Sequence, residues 1–186
     1  MSRAASQAIL LVDGYNMVGA WSGLQQKRDR HGLEEARREL VEMLIEYSAF
    51  NGYETQVVFD AQYQDRPGSK EVRTPYLSVY YTEFQQTADT YIELTCSRFR
   101  NDLRKFEKHL IVATSDNVHR QTVIGYGAVC ISALQLLHEI ETVGRQVRHK
   151  QRSKGRSHGR FLMNSLDPSA QERLSKLRFG NTDGHP

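Results

Sequence analysis

The sequence predicts an α/β fold, a three-layer sandwich around a central, mostly parallel sheet of about five strands. Three observations carry that expectation. Apolar runs of strand length alternate with amphipathic stretches of helix length, the pattern of successive strand-helix-strand units. The runs are short and continuously apolar, as strands buried on both faces of a parallel sheet are. Three of them, beginning at Ile9, Gln56 and His109, end in or run shortly into aspartate: Asp13, Asp60 and Asp116. With right-handed crossovers the simplest strand order is 3-2-1-4-5, which places a switch point between strands one and four.

Strand one ends at Asp13, and Gly14 belongs to the turn that follows. A loop around Trp21 comes next. Between Leu33 and Phe50, Leu33, Ala36, Leu40, Met43, Leu44 and Tyr47 recur at helical spacing, while Glu34, Glu35, Arg38, Glu39, Glu42 and Glu46 form a charged opposite face. Asn51-Gly52 stops this crossover helix, and strand two leads to Asp60. Ala61 to Pro75 reads as a polar loop holding Arg66, Lys70 and Arg73. Leu77 to Thr82, rich in β-branched and aromatic residues, is strand three. Gln86 or Thr87 starts a second helix with Ala88, Ile92, Cys96 and Phe99 on its apolar side. Asp89 sits in its first turn, where the helix dipole favours a negative charge, and Glu93 lies one turn below on a neighbouring stripe. Strand four is His109 to Ala113, and Thr114-Ser115-Asp116-Asn117 is the turn and cap into a third helix. Strand five, Ala128 to Ile131, precedes a long helix capped by Ser132 and carrying Ala133, Leu136, Leu137, Ile140 and Val143.

A chain of 186 residues accommodates one ordinary domain with an appendage. Its formal charge of +3 hides a division. Residues 1–144 carry 15 basic and 19 acidic side chains, whereas residues 145–186 carry 10 and 3. The basic run of Arg145, Arg148, Lys150, Arg152, Lys154, Arg156 and Arg160 reads as an extension or flexible linker, with a short helix expected over 167–177. Such a run attracts a polyanionic backbone. Arg66, Lys70 and Arg73, with Tyr63 and Tyr76, are candidates to line the path of such a backbone, and His119 and Arg120 either contact phosphate or are exposed helix residues. Cys96 and Cys130 form no close pair and no zinc-ligand spacing, which fits reduced core residues and the cytosol. The few residues before Ile9 are too short for a signal peptide, and no apolar run spans a membrane; an organellar stroma fits if a targeting segment has been removed. No Gly-x-Gly-x-x-Gly or Walker loop offers a nucleotide cradle.

The acids carry the chemistry. Strand order brings Asp13 and Asp116 side by side, with Asp60 flanking Asp13 and Asp89 projecting from the next helix. Carboxylates gathered in one crevice repel unless one takes up a proton or a cation supplies the balance. Hard oxygen ligands with open positions suit Mg²⁺ or Mn²⁺, and such a site favours hydrolysis of a nucleic-acid backbone. Each acid also has a plainer reading: Asp60 as a turn residue, Asp89 as a helix-start charge, Asp116 as an N-cap.

Leu-Val-Asp13-Gly14-Tyr15-Asn16-Met17, Val-Val-Phe-Asp60-Ala61, Thr87-Ala88-Asp89 through Ile92-Glu93, and Ala113-Thr114-Ser115-Asp116 together resemble the YacP-like NYN domains, a branch of the PIN-like nuclease superfamily. The similarity covers residues 8–147, with the basic extension, 148–186, outside it. The resemblance implies a PIN-like Rossmannoid sandwich and a metal-dependent endoribonuclease. By position, Asp13 and Asp89 match the family's principal catalytic acids and Asp116 its further metal-site acid. Asn16 matches the Asn of the first motif, expected to hold ligand, water or phosphate. Asp60 either touches metal or supports Asp13, and Glu93 and Ser115 are expected to support the site. Family members are associated with cleavage of messenger RNA during translation, so RNA is the expected partner and the ribosome a further one. The other readings are an RNA- or ribosome-binding module that keeps the fold without cleaving, and a nuclease directed at DNA.

Overall fold

A computed structural model of the chain describes residues 8–60 and 68–164, with side chains through Gln151. Its strands are β1 (Ala8–Asp13), β2 (Glu54–Phe59), β3 (Ser69–Thr74), β4 (Leu77–Tyr81), β5 (His109–Ala113) and β6 (Val129–Ile131). The helices are α1 (Gly14–Ala20), α2 (Ser22–His31), α3 (Leu33–Asn51), α4 (Ala88–Arg100), α5 (Asn117–Gly125) and α6 (Ala133–Asn164), with a 3-10 turn at Leu103–Phe106. The sheet order is β3-β4-β2-β1-β5-β6. All pairs are parallel except β3 with β4. The five strands expected from apolar runs are thus β4, β2, β1, β5 and β6, in the expected order.

The sixth strand corrects the loop expected over Ala61 to Pro75. From Ser69 to Arg73 every residue of β3 is exposed, so the strand carries no apolar signal and is held by backbone pairing to β4. Its Lys70, Glu71 and Arg73 place charge on a sheet edge, which discourages pairing with another chain. A second correction concerns Trp21. The chain from Gly14 to His31 is not a loop but two helices that meet at Trp21, which is 1% exposed and donates from Nε1 to the Ala133 carbonyl at 2.7 Å. Gly14, Gly19, Ser22 and Gly23 lower helix propensity locally, and burial of Met17, Val18, Trp21 and Leu24 overrides it. In the third, the basic run from Arg145, expected as an extension or flexible linker, is an extension in helical form that continues α6 as far as Asn164. Arg, Gln and Lys propagate a helix already started by the buried Ala133, Leu136, Ile140 and Val143. The helix expected over 167–177 lies outside the described residues.

Strand alternation sorts the core and aims the acids. Leu11, Val58, Leu110 and Val112 pack with Ala88, Ile92 and Cys96 of α4 and Val123 of α5 in one buried cluster. Successive side chains on a strand point to opposite faces, so Asp13, two past Leu11, and Asp60, two past Val58, are directed to that α4/α5 side. Leu10, Val12, Val57 and Phe59 point the other way; among the helices there, α3 packs against β2 and β4. Its charged face forms exposed ion pairs such as Arg38–Glu35 and Lys27–Glu39. Gly52, at φ 66°, caps α3 in the left-handed region that the Asn51-Gly52 pair predicts. No helix among the described residues is long and apolar enough to cross a membrane.

Gly14 is required for space. A Cβ there would stand within 2.7 Å of three carbons of the Phe59 ring. Phe59 is fully buried and wedged between the Tyr15 and Tyr81 rings, at centroid distances of 5.2 and 5.9 Å. Gly14→Ala is therefore expected to lower stability by about 2 kcal/mol, as overpacking does, and to displace Asp13, its neighbour. Urea unfolding of the two proteins checks this.

Candidate metal centre

Asp13 closes β1 and caps α1, its Oδ1 accepting from the Asn16 N–H at 3.0 Å. It is 8% exposed. Burial is the main force raising its carboxyl to about 6, helped by the charges of Asp89 and Asp60, while the Asn16 N–H and His119 oppose the rise. Asp60 follows β2 and reaches across to α4, where its Oδ1 accepts from the Ala88 N–H. Burial and the nearby Asp89 push its carboxyl up as well, against the Ala88 N–H. Thr87 caps α4 through the Thr90 N–H at 3.1 Å, which sets Asp89 in the first turn.

His119 completes this group. The sequence leaves it as a phosphate contact or an exposed helix residue; it is not exposed, being 3% accessible on the inner side of α5. Its Nδ1 lies 2.8 Å from Oδ1 of Asp89. One ligand atom each from Asp13, Asp89 and His119 fall within 4.8 Å of one another. The imidazole beside it holds Asp89 below the usual carboxylate range. Burial works against a charged His119 ring, yet the charges of Asp89, Glu93 and Asp13 outweigh it and raise its pKa. Glu93 stands on α4 one turn after Asp89 and is among the charges that raise His119. A usable signal was present in the sequence: His119 stands four residues before the buried Val123 and shares its helical face.

Asp116 stands outside the three-residue group. Its Oδ1 accepts from the N–H groups of Val118 at 2.8 Å and His119 at 3.1 Å, so it caps α5 and fixes the turn that carries His119. Asn16 and Ser115 tie the two sheet ends together. Asn16 Oδ1 accepts from the Ser115 N–H at 2.9 Å, and Ser115 Oγ accepts from the Ala133 N–H at 2.9 Å. Among the basic candidates, Lys70 and Arg73 lie exposed on β3, where Arg73 pairs with Glu71 at 2.6 Å. Arg120 is exposed on α5, and Arg145, Arg148 and Lys150 are exposed on α6. Arg152, Lys154 and Arg156 fall on the α6 backbone beyond the last described side chain. Arg66 and Tyr63 lie outside the described residues.

The donor set fits a divalent cation. Oδ1 of Asp89 and both ring nitrogens of His119 are buried without a hydrogen-bond partner of good geometry, their 2.8 Å approach notwithstanding. Buried polar atoms are rarely left so, and a bound ion is one of the recognised reasons. Residues 10–179 match the family model described as the YacP-like NYN domain. The chain belongs to the YacP-like NYN domain family. An uncharacterized protein of Bacillus subtilis (strain 168), YacP, is 37% identical over 145 residues, which cover 77% of this chain and 81% of that protein. Two crystal structures of Rae1 (YacP) from Bacillus subtilis, one of a point mutant, are 31% identical with a TM-score of 0.67. The mutant covers 92% of this chain and the other 97%, and 99% of each of those chains is matched. The fold is therefore that of the YacP-like NYN domains, within the PIN-like nuclease superfamily, whose members typically use divalent metals. The family match passes residue 147 and takes in the basic run, which the motifs alone left outside; a Lys- and Arg-rich helix has no distinctive residue to be recognised by.

Two stability measurements follow. A rise of the Asp13 carboxyl from 3.8 to about 6 costs the ionised folded state about 3 kcal/mol. That cost is absent below about pH 4, grows as pH rises through the interval, and is complete above about pH 6. In a chelator, Asp13→Asn is thus expected to be the more stable protein in urea at pH 7.5, with the advantage vanishing at pH 4. Asp116→Asn should unfold within about 0.5 kcal/mol of wild type and Asp116→Ala about 1 kcal/mol earlier, because Asn caps a helix as well as Asp and Ala does not.

Proposed function

We propose that the protein is a metal-dependent endoribonuclease that hydrolyses phosphodiester bonds within messenger RNA, with the ribosome as a further partner. The observation that carries this reading is the convergence of Asp13, Asp89 and His119 at the carboxyl edge of the sheet in a NYN domain, where open α/β folds bind their ligands. Asp13 and Asp89 would hold Mg²⁺ or Mn²⁺. A divalent cation bound there supplies Lewis acidity for in-line attack of water on phosphorus.

The chain's own residues shape what surrounds that chemistry. Asp60 anchors the start of α4, and so the position of Asp89, by accepting from the Ala88 N–H. Asn16, in the first turn of α1, holds the turn after β5 by accepting from the Ser115 N–H, beside the place where a phosphate would rest. The Asp89 side chain is 43% exposed, so the group is reachable from solvent although Asp13 and His119 are buried. Exposed Lys70, Arg73, Arg120, Arg145, Arg148 and Lys150 supply the positive charge that a polyanion requires, since the body of the protein is acidic overall. The messenger and ribosome assignments come from the likeness to the YacP family, and the basic residues support an RNA partner in general.

Incubation of labelled RNA and the matching DNA with the full chain, with and without Mn²⁺ or Mg²⁺, tests the reading. Internal cleavage of RNA that needs the cation and falls at least about 100-fold in Asp13→Asn or Asp89→Asn is expected. Equal activity in wild type and Asp13→Asn removes the site, RNA binding without any cleavage makes the protein a binding module, and preference for DNA overturns the substrate.

A further inference from the structure

We infer that His119 is itself a ligand of the cation, and that its nitrogen makes the site select Mn²⁺ over Mg²⁺. This rests on the reading of Asp13 and Asp89 as a divalent-metal centre and goes further by assigning a third ligand, its chemistry and a metal preference.

Four observations lead there. First, the ligand atoms of Asp13, Asp89 and His119 all lie within 4.8 Å of one another. Ligands about 2.1 Å from one ion can stand up to about 4.2 Å apart, so a closing movement of about 0.6 Å at most brings the trio to one coordination shell. Second, both His119 nitrogens are buried and neither has a hydrogen-bond partner of good geometry. A purely structural ion pair with Asp89 would account for Nδ1 alone, and off axis, leaving Nε2 buried and unpartnered, which is costly. Third, the backbone that carries the ring is held in place. Asp116 accepts the His119 N–H at the start of α5, and Val123, one turn on, is buried in the core that contains Ala88 and Ile92 of α4. Fourth, this is the one member of the group that is not a carboxylate. Two oxygens suit Mg²⁺ and Mn²⁺ alike, but imidazole suits the transition metals, and Mg²⁺ keeps to oxygen. Sequence position also explains how a histidine reaches an acidic centre: it follows the Asp116 cap by three residues, which turns it to the side of α5 that faces α4.

Electron paramagnetic resonance of Mn²⁺ added to the full-length, untagged chain tests this without reference to turnover. The expected result is a ¹⁴N coupling in the wild type that is lost in His119→Gln and in His119→Asp. Calorimetric titrations with Mn²⁺ and Mg²⁺ should show the Mn²⁺ preference falling by about tenfold or more in His119→Gln. His119→Asp, which replaces nitrogen by oxygen, should keep Mn²⁺ binding while improving Mg²⁺. Mn²⁺ that binds in an Asp13-dependent way with no ¹⁴N coupling in the wild type overturns the role of His119 and leaves the carboxylate centre standing. Absence of any Mn²⁺ binding that Asp13→Asn abolishes removes the metal centre itself, and the assignment with it. If His119→Gln fails to fold, as circular dichroism would report, the wild-type spectrum and His119→Asp still decide.

Discussion

The burial of a negative charge at the end of the central strand is the constraint on which the rest of this molecule depends. Asp13 is shielded from water and faces two further carboxylates, Asp60 and Asp89. At an effective dielectric constant near 20, two unit charges about 4.8 Å apart repel by about 3 kcal/mol, a sizeable part of the stability of an ordinary domain. Nothing in a hydrophobic core offsets such a term. The fold meets it with backbone N–H groups, with the positive end of a helix, and with one imidazole. The Asn16 N–H serves Asp13, the Ala88 N–H serves Asp60, and His119 faces Asp89.

These devices have a common geometry. Asp13, Thr87 and Asp116 all stand where an extended segment passes into a helix, and each accepts an N–H from the first turn beyond it. A side chain that caps a helix cannot wander, so the capping bonds that terminate secondary structure also set the positions of the acids and of His119. Asn16 and Ser115 then convert two independent strand ends into one surface. The chain of bonds from Asp13 through Asn16, Ser115 and Ala133 ends at Trp21, whose indole at the α1–α2 junction holds the Ala133 carbonyl. Site and core are therefore coupled: the residue that seals the α1–α2 junction also braces the start of α6.

Gly14 shows the same coupling from another side. It lets the Phe59 ring approach the chain directly after Asp13, and Phe59 in turn packs against Tyr15 and Tyr81 and lies under the Arg37 guanidinium at 5.8 Å. Asp13 of the first motif belongs to the candidate metal centre, while Gly14 and Tyr15 serve close packing behind it. The motif's residues are legible as a unit because both demands fall on adjacent positions of one strand end.

The sequence by itself determined the parallel sheet, the order of its five apolar strands and the crossover helix α3 with its glycine stop, each written in local pattern as apolar runs of strand length and helical spacing. It set Asp13, Asp89 and Asp116 around one cation; the structure groups Asp13 and Asp89 with His119 and has Asp116 capping α5. Only the tertiary structure decided β3, the α1–α2 pair, the continuation of α6 and the place of His119. An edge strand exposed along nearly its whole length has no hydrophobic period, and a Gly-rich helix pair is stabilised by what Trp21 and Leu24 bury against, not by propensity. A histidine's role depends on what surrounds its ring, and that is supplied by α4 and β1, distant in sequence and joined to α5 only when the sheet closes.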